Sequence, residues 1–393
     1  MLNSIYIGLT GLSSYSRGLQ TISNNVANLN TPGFKTSTLR FGDLFYTGGE
    51  QGRMSAEGVQ YGTGVNVGGS TVNFRQGDMR NTGGDLDFAI QGRGLLVLMD
   101  GANRLYARTG QFGVDAEGFV AERQLGFRLG VLGANGQLQA LGIDGKRTSA
   151  PQGTTRVSFA DNLSATAQQH VISGIEVYDS NGGKHTWIVR LDNTTATTPG
   201  RWAVKVENAS GGVIKEGEIV FNGSLLAPDK NKVTVNLAPA GAAASVVELD
   251  FSGSVTGFSA GTFSSLRVGS KDGYGAGELT RVVLDDGQLK MEYSNGQSEL
   301  AGHVALADFE DLQALEQRGD GLFEIAADAQ PRLMRQGEGG LGTLRAQSLE
   351  ASNVDLSSEF GQLILFQRGY QASSQVIGVA NEMLQQLFEL RGR

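Results

Sequence analysis

The chain is expected to fold as a multi-domain protein with mainly β outer domains and an α-helical terminal coiled-coil domain, in a nested, discontinuous domain order. Three observations predict this. Apolar residues recur at seven-residue spacing at both ends. Between the ends they alternate or form short blocks bounded by glycine-containing turns. Glycine is abundant (58 of 393 residues) and proline scarce (6), a composition of many tight turns without a collagen-like period.

The first helix is predicted over residues 1–29. Ile5, Leu12, Leu19 and Val26 sit seven apart, and Tyr15, Ile22 and Leu29 follow three residues after Leu12, Leu19 and Val26. These are the a and d positions of helices that associate along their length. Asn3, Thr10, Arg17 and Asn24 make the opposite face polar. Gly8, Gly11 and Gly18 lie inside, each costing about 1 kcal/mol relative to alanine. An isolated copy is therefore expected to fray and to need a partner, leaving the ends of a free monomer disordered. Asn30-Thr31-Pro32-Gly33 ends the helix and turns the chain.

Residues 36–80 read as an extended connecting arm. Residues 81–145 read as β, with Leu95 to Leu98, a turn at Asp100-Gly101, then Leu105 to Arg108. Residues 146–270 are rich in Thr, Ser, Ala and Val and hold both tryptophans. Ile175 and Val177, the turn Asn181-Gly182-Gly183, and Trp187, Val189 and Leu191 predict a hairpin there. Residues 271–349 return to the earlier style, with turns at Asp286-Gly287 and Asn295-Gly296. They are expected to rejoin 81–145 as one inner β-domain, because about 60 residues alone make a marginal core. Residues 350–393 close the chain. Leu356, Leu363, Tyr370, Ile377 and Leu384 repeat at seven, with Phe366, Ala380 and Leu387 three residues on. Asp355 and Ser357 suit the cap, and Glu359 suits the positive end. The terminal domain is thus 1–35 plus 350–393. Its stripes admit two readings, lengthwise association in an assembly and a two-helix core that closes a monomer.

Composition excludes several function classes. A net charge of −8 and a pI near 5.1 argue against a nucleic-acid binder. No basic cluster resembles a membrane patch, and no stretch reaches the length of apolar residues that inserts into a bilayer. There is no cysteine, hence no disulfide or thiolate chemistry. No cleavable signal peptide is recognisable. His170, His185 and His303 lack metal-ligand spacing. Gly337-Glu338-Gly339-Gly340-Leu341-Gly342 fits G-x-G-x-x-G by letter, but no apolar strand precedes it, so a connector is expected. The acidic pairs Asp85 and Asp87, Asp285-Asp286 and Glu310-Asp311 read as surface charge. No catalytic residue, cofactor or metal is expected.

Specific strings carry a resemblance. Asn25-Val26-Ala27-Asn28-Leu29-Asn30-Thr31-Pro32-Gly33-Phe34-Lys35 resembles the N-terminal signature of bacterial flagellar rod and hook proteins, with Ala27, Asn28, Thr31, Pro32, Gly33, Phe34 and Lys35 as its motif residues. Leu349-Glu350-Ala351-Ser352-Asn353-Val354-Asp355-Leu356-Ser357 with Gln367-Arg368-Gly369-Tyr370-Gln371 resembles the C-terminal counterpart. Thr82 to Gly92 and Arg108-Thr109-Gly110-Gln111-Phe112 resemble the start of that family's inner β-domain. The large insertion at 146–270, Asp272-Gly273-Tyr274, Gly277-Glu278-Leu279 and Tyr293 to Gln297 resemble the hook members rather than the shorter rod members.

The resemblance implies a structural subunit that polymerises into a curved, flexible tube. The tube would link rod to filament and enclose an export channel. Self-assembly would run through Ile5, Leu12, Leu19, Ile22, Val26, Leu356, Leu363, Phe366, Tyr370, Ile377, Leu384 and Leu387. Implied partners are further copies of the chain, the distal rod protein, the hook cap protein, the hook–filament junction protein and the flagellar type III export apparatus. No nucleic acid and no membrane insertion are implied. The implied place is extracellular, in the flagellar hook. Phe41-Gly42-Asp43-Leu44-Phe45 resembles a short aromatic export-gate motif; Phe41 and Phe45 read equally as an apolar anchor in the arm. Polar, glycine-rich outer domains are expected to slide as the tube turns, with 42–70 and the junctions near 145 and 270 absorbing the change. The alternatives are a distal-rod-like subunit and, in another class, a secreted β-protein that binds glycans.

Overall fold

In the computed structural model, residues 2–44, 46–47, 61–133, 135–194, 200–239, 241–326 and 329–391 are described. The chain divides into two compact units. One comprises 1–144, 282–290 and 300–393, the other 145–281 and 291–299. The fold is mainly β with one long helix near each end.

In the first unit, α1 spans Leu2–Ala27 and α2 spans Leu356–Arg391. They pack lengthwise and antiparallel, with Gly8 beside Ile377 and Gly18 beside Phe366. The first helix stops at Ala27, short of residue 29, because 28–33 turns. The Thr31 N–H donates to the Asn28 carbonyl at 3.2 Å, and Gly33 takes φ +71°, open to glycine at no steric cost. The second helix starts at Leu356, after a segment in which Asn353 is tied to the arm. Its side-chain amide donates to the Asn73 and Arg75 carbonyls at 2.7 and 2.9 Å. The Asp355 carboxylate then accepts from the Ser357 N–H at 2.9 Å as the helix cap.

Much of the predicted arm is a two-stranded antiparallel ribbon. Ser37–Asp43 pairs with Val65–Val72, from Ser37 opposite Val72 to Asp43 opposite Val65, with an irregularity between Leu39 and Phe41. The ribbon lies along α1, where the Val65 N–H donates to the Thr10 hydroxyl at 3.3 Å.

The β-body of this unit is built from strands on both sides of the second unit in sequence. Asp87–Gln91 pairs with Thr343–Ala346, Leu96 faces Leu306, and Val131 faces Val304. Leu95 to Leu98 are all buried, as expected for a strand covered on both faces. The core gathers Leu95, Val97, Tyr106, Leu132, Phe309 and Phe323. The rings of Tyr106 and Phe309 meet edge to face at 4.9 Å. The Asp286-Gly287 turn takes φ +45° and +72°, the geometry that the flanking strand twist favours.

The second unit holds a nine-stranded sheet over its own core. Trp187, Trp202, Val157 and Phe251 are buried there, and Phe159 stacks on Phe251 at 4.3 Å. The predicted hairpin is Gln169–Tyr178 with Lys184–Asn193. The Asp272 carboxylate accepts from the Thr155 and Arg156 N–H groups at 2.9 and 3.0 Å, and Gln152 and Tyr274 exchange backbone hydrogen bonds.

Candidate assembly site on the paired terminal helices

The contact between α1 and α2 is made by glycines that receive large side chains. A Cβ on Gly18 would lie 2.5 Å from the Phe366 ring, one on Gly8 2.7 Å from Ile377, and one on Gly11 2.6 Å from the Ser373 hydroxyl. In return, a Cβ on Gly369 would lie 2.5 Å from the Tyr15 ring. The three glycines that weaken α1 by propensity thus bring the helix axes close enough for their neighbours to interlock. Tyr15, Phe366 and Phe41 of the ribbon form an aromatic cluster, with ring centroids 5.5 to 6.1 Å apart. Each such pair is worth about 0.5–1.5 kcal/mol beyond its buried area.

The predicted stripe residues fall on both sides of this boundary. Ile22 is buried, and Ile5, Leu12, Leu19, Val26, Leu356, Leu363, Phe366, Ile377 and Leu384 are half-buried. Tyr370 and Leu387 stand 42% and 48% exposed. The seam keeps Phe366 and Ile377 of the stripe and adds Gly369 and Ser373, because a straight helix turns every 3.6 residues and drifts from a strict heptad. The expected polar face of α1 is partly occupied, since Thr10 meets the ribbon.

A second apolar face was not anticipated. Tyr6, Ile7 and Leu9 on α1, and Phe360, Ile364, Leu365, Val376, Val379, Met383 and Phe388 on α2, are all exposed. The steps of four from Phe360 to Ile364 and of three and four through Val376, Val379 and Met383 are the signal in the sequence, masked by the heptad. An exposed apolar stripe of this extent on one chain marks an interaction surface.

Two polar constellations fasten the helices to the rest of the unit. Asn25 and Glu359 meet at the base of the pair, where the Asn25 side-chain amide donates to both carboxylate oxygens at 3.1 and 3.2 Å. Burial pushes the Glu359 carboxyl above its usual range. The Asn25 hydrogen bond draws it back, and the Asp355 charge adds to the rise.

The motif strings meet in the second constellation. The Lys35 ammonium donates to Glu350 at 2.5 Å and to the Arg75 carbonyl at 2.8 Å. Arg108 donates to the other Glu350 oxygen at 3.0 Å and also to the Gly94, Ile90 and Gly92 carbonyls. The Gly33 N–H donates to the Glu350 carbonyl, and the Asn353 N–H donates to that of Phe34. Burial lowers the Lys35 ammonium below its ordinary value, against the pull of the Glu350 charge. Of the other motif residues, Asn28 accepts from the Thr31 hydroxyl at 3.0 Å, Phe34 is buried, and Ala27 and Pro32 are exposed. Phe41 belongs to the aromatic cluster, and Phe45 lies outside the described residues.

Nothing in this geometry positions a nucleophile or base. Among the described residues, no group of three or more His, Asp or Glu is placed to hold a metal ion, and no helix is long and apolar enough to cross a membrane.

The chain is similar to known proteins at both ends and along its length. Residues 5–35 match the family model described as "Flagella basal body rod protein". Residues 345–390 match that described as "Flagellar basal body rod FlgEFG protein C-terminal". These spans are α1 with the Lys35 segment, and the Glu350 segment with α2. The flagellar hook protein of Escherichia coli (strain K12) is 29% identical over 98% of this chain and 98% of its own. That of Borreliella burgdorferi is 28% identical over the whole of both chains, and that of Salmonella typhimurium 29% identical over 98% of each. The crystal structure of a Helicobacter pylori hook protein covers 69% of this chain and all of that one, at 12% identity and a TM-score of 0.46. Hook proteins are similar to the chain along its length, and the rod and hook family models match both of its terminal helices.

Proposed function

We propose that the chain is the structural subunit of a bacterial flagellar hook. It polymerises into a curved, flexible tube that carries torque from rod to filament and encloses the export channel. One observation carries this reading: hook proteins align with it over 98% of both lengths, outer unit included. The exposed apolar faces of α1 and α2 support it, because a single chain leaves them uncovered and a polymer wall covers them.

The finer reading follows the same logic. The terminal helices, 1–35 with 350–393, form the inner tube. The arm at 36–80 links them to an inner β-domain of 81–145 with 271–349, and 146–270 forms the outer β-domain. Partners along the axis are the distal rod protein at the base, the hook cap protein at the growing tip and the hook–filament junction protein beyond. The type III export apparatus delivers the chain to an extracellular place of assembly. In this role the protein is not an enzyme.

Electron microscopy of concentrated purified protein tests the reading. Curved tubes are expected. Straight tubes would favour a distal-rod-like subunit, and no polymer at any concentration would revive a secreted glycan-binding module.

A further inference from the structure

The contacts at Gly11 and Gly18 do not by themselves select one alignment of α1 against α2. Gly11 faces Ser373 and Gly18 faces Phe366, so seven residues forward on one helix match seven backward on the other. After a slip of one heptad, Gly18 would meet Ser373 and Gly11 would meet Ala380, again small against small. Slipped the other way, Gly11 would receive Phe366 as Gly18 does now. Gly11 and Gly18 therefore tolerate neighbouring registers, while Tyr15, seated on Gly369, would meet Val376 or Gln362 and lose only an apolar contact.

Asn25 and Glu359 do not tolerate them. Both are buried, at 1% and 5% exposure. The Asn25 amide is fully engaged. It donates to the Ser37 carbonyl at 2.9 Å and to both Glu359 oxygens, while its own oxygen accepts from the Ser37 N–H at 3.1 Å. A slip of one heptad would bring Asn25 opposite Phe366, or opposite Ser352 before α2 begins. Either move strips a buried amide and a buried carboxylate of their partners, which costs more than an apolar mismatch. A single polar contact in an apolar helix seam is the best-attested means of setting register. We propose that Asn25 and Glu359 are positioning residues that fix the alignment of the two helices and, through Ser37, of the ribbon that leaves them. The proposal stands on the helix pair alone, so its failure would leave polymerisation untouched.

The absence of native cysteine gives a clean test in the full-length chain. A Cβ on Gly11 would lie 3.4 Å from that of Ser373, beside the disulfide range of about 3.5–4.5 Å. The pair Gly11→Cys with Ser373→Cys therefore reports the observed register, and Gly11→Cys with Ala380→Cys reports the slipped one. In the otherwise unaltered chain, oxidation is expected to close only the first pair. With Asn25→Leu and Glu359→Leu added, closure of the first pair should fall by about half or more and the second should appear. Glu359→Gln, which keeps an acceptor for Asn25, should restore the single register. Exclusive closure of the first pair in the double-leucine chain, even with lowered stability, would overturn the proposal. Should that chain not fold, Asn25→Ala is read with the same two reporters. A chain that folds in neither variant would also overturn it, because the pair would then be needed for folding and not for alignment.

Discussion

The ring of Phe366 occupies the space that a Cβ on Gly18 would need, at 2.5 Å. That ring is itself held by Phe41 and Tyr15, with centroids at 5.5 and 6.1 Å. Alanine at position 18 would gain about 1 kcal/mol of helix propensity but overpack a wedged ring, at a cost of about 1–3 kcal/mol. The second effect is expected to win. Gly18→Ala should lower the thermal midpoint followed by far-UV circular dichroism. Gly361 in α2 has no atom within 4 Å of where its Cβ would be, so Gly361→Ala should raise it. A higher midpoint for Gly18→Ala would show that the helices are not in this close contact.

Glu350 satisfies the Lys35 ammonium, the Arg108 guanidinium and the Gly77 N–H at once. Removing one partner from a buried ionic cluster leaves uncompensated charge, at about 3–5 kcal/mol. Glu350→Ala is therefore expected to destabilise the first unit severely in urea unfolding. The exposed pair of Lys232 and Glu248 at 2.9 Å is the contrast, and Lys232→Ala should cost no more than about 1 kcal/mol. Both tryptophans are buried in the second unit, so their emission separates its unfolding from that of the first. Equal, small losses for the two variants would count against the ionic cluster as the fastening of the terminal segments.

These two contacts mark the limit of what a single sequence makes legible. The stripes of Leu12, Leu19 and Leu363 are readable because helical periodicity is local. So are hairpins such as Asp100-Gly101, where turn chemistry sits between apolar runs. The meeting of Lys35 with Glu350, or of Asn25 with Glu359, joins residues more than 300 positions apart. No local pattern encodes such a pair until the register of two helices is known. Gly18 misleads for a related reason: propensity describes an isolated helix, and only the facing Phe366 turns the missing Cβ into a gain. The outer face through Phe360, Ile364 and Val376 was present in the letters but hidden behind the stronger stripe.

The raised carboxyl of Glu359 makes the helix pair sensitive to pH in a defined direction. Below the ordinary value of 4.5, folded and unfolded chains both hold the proton and the group has no effect. Above the raised folded value, the folded chain carries a charge that burial disfavours, while the unfolded chain ionises freely. The stabilising contribution is thus present at low pH and lost as pH rises. Glu359→Gln should melt higher than the parent at pH 7, and the difference should shrink towards zero on acidification to pH 4. A difference that grows on acidification would give the linkage the wrong sign.

Phe41 permits its two readings to be separated. In the folded chain it packs on Phe366 and Tyr15, which is the anchor. An export signal is instead read on the unfolded chain, before that cluster exists. Replacing Phe41 and Phe45 with alanine is expected to block secretion, measured in culture supernatant, while purified protein still polymerises. Normal secretion with failed polymerisation would make Phe41 an anchor only.

Removal of 146–270 should leave a chain that still forms tubes. The excised segment carries its own core around Trp187 and Trp202, so the core around Tyr106 and Phe309 keeps its residues. The chain leaves and returns side by side, because Thr148 and Glu278 are register partners on neighbouring strands, and a linker joins residue 145 to residue 271. The expected loss is of outer contacts between subunits, proposed to be small and polar so that subunits take different spacings around a bend. Electron microscopy of the shortened protein is therefore expected to show tubes that no longer coil. Failure to assemble would place the outer unit in the wall itself, and tubes that coil as before would locate curvature in the inner unit.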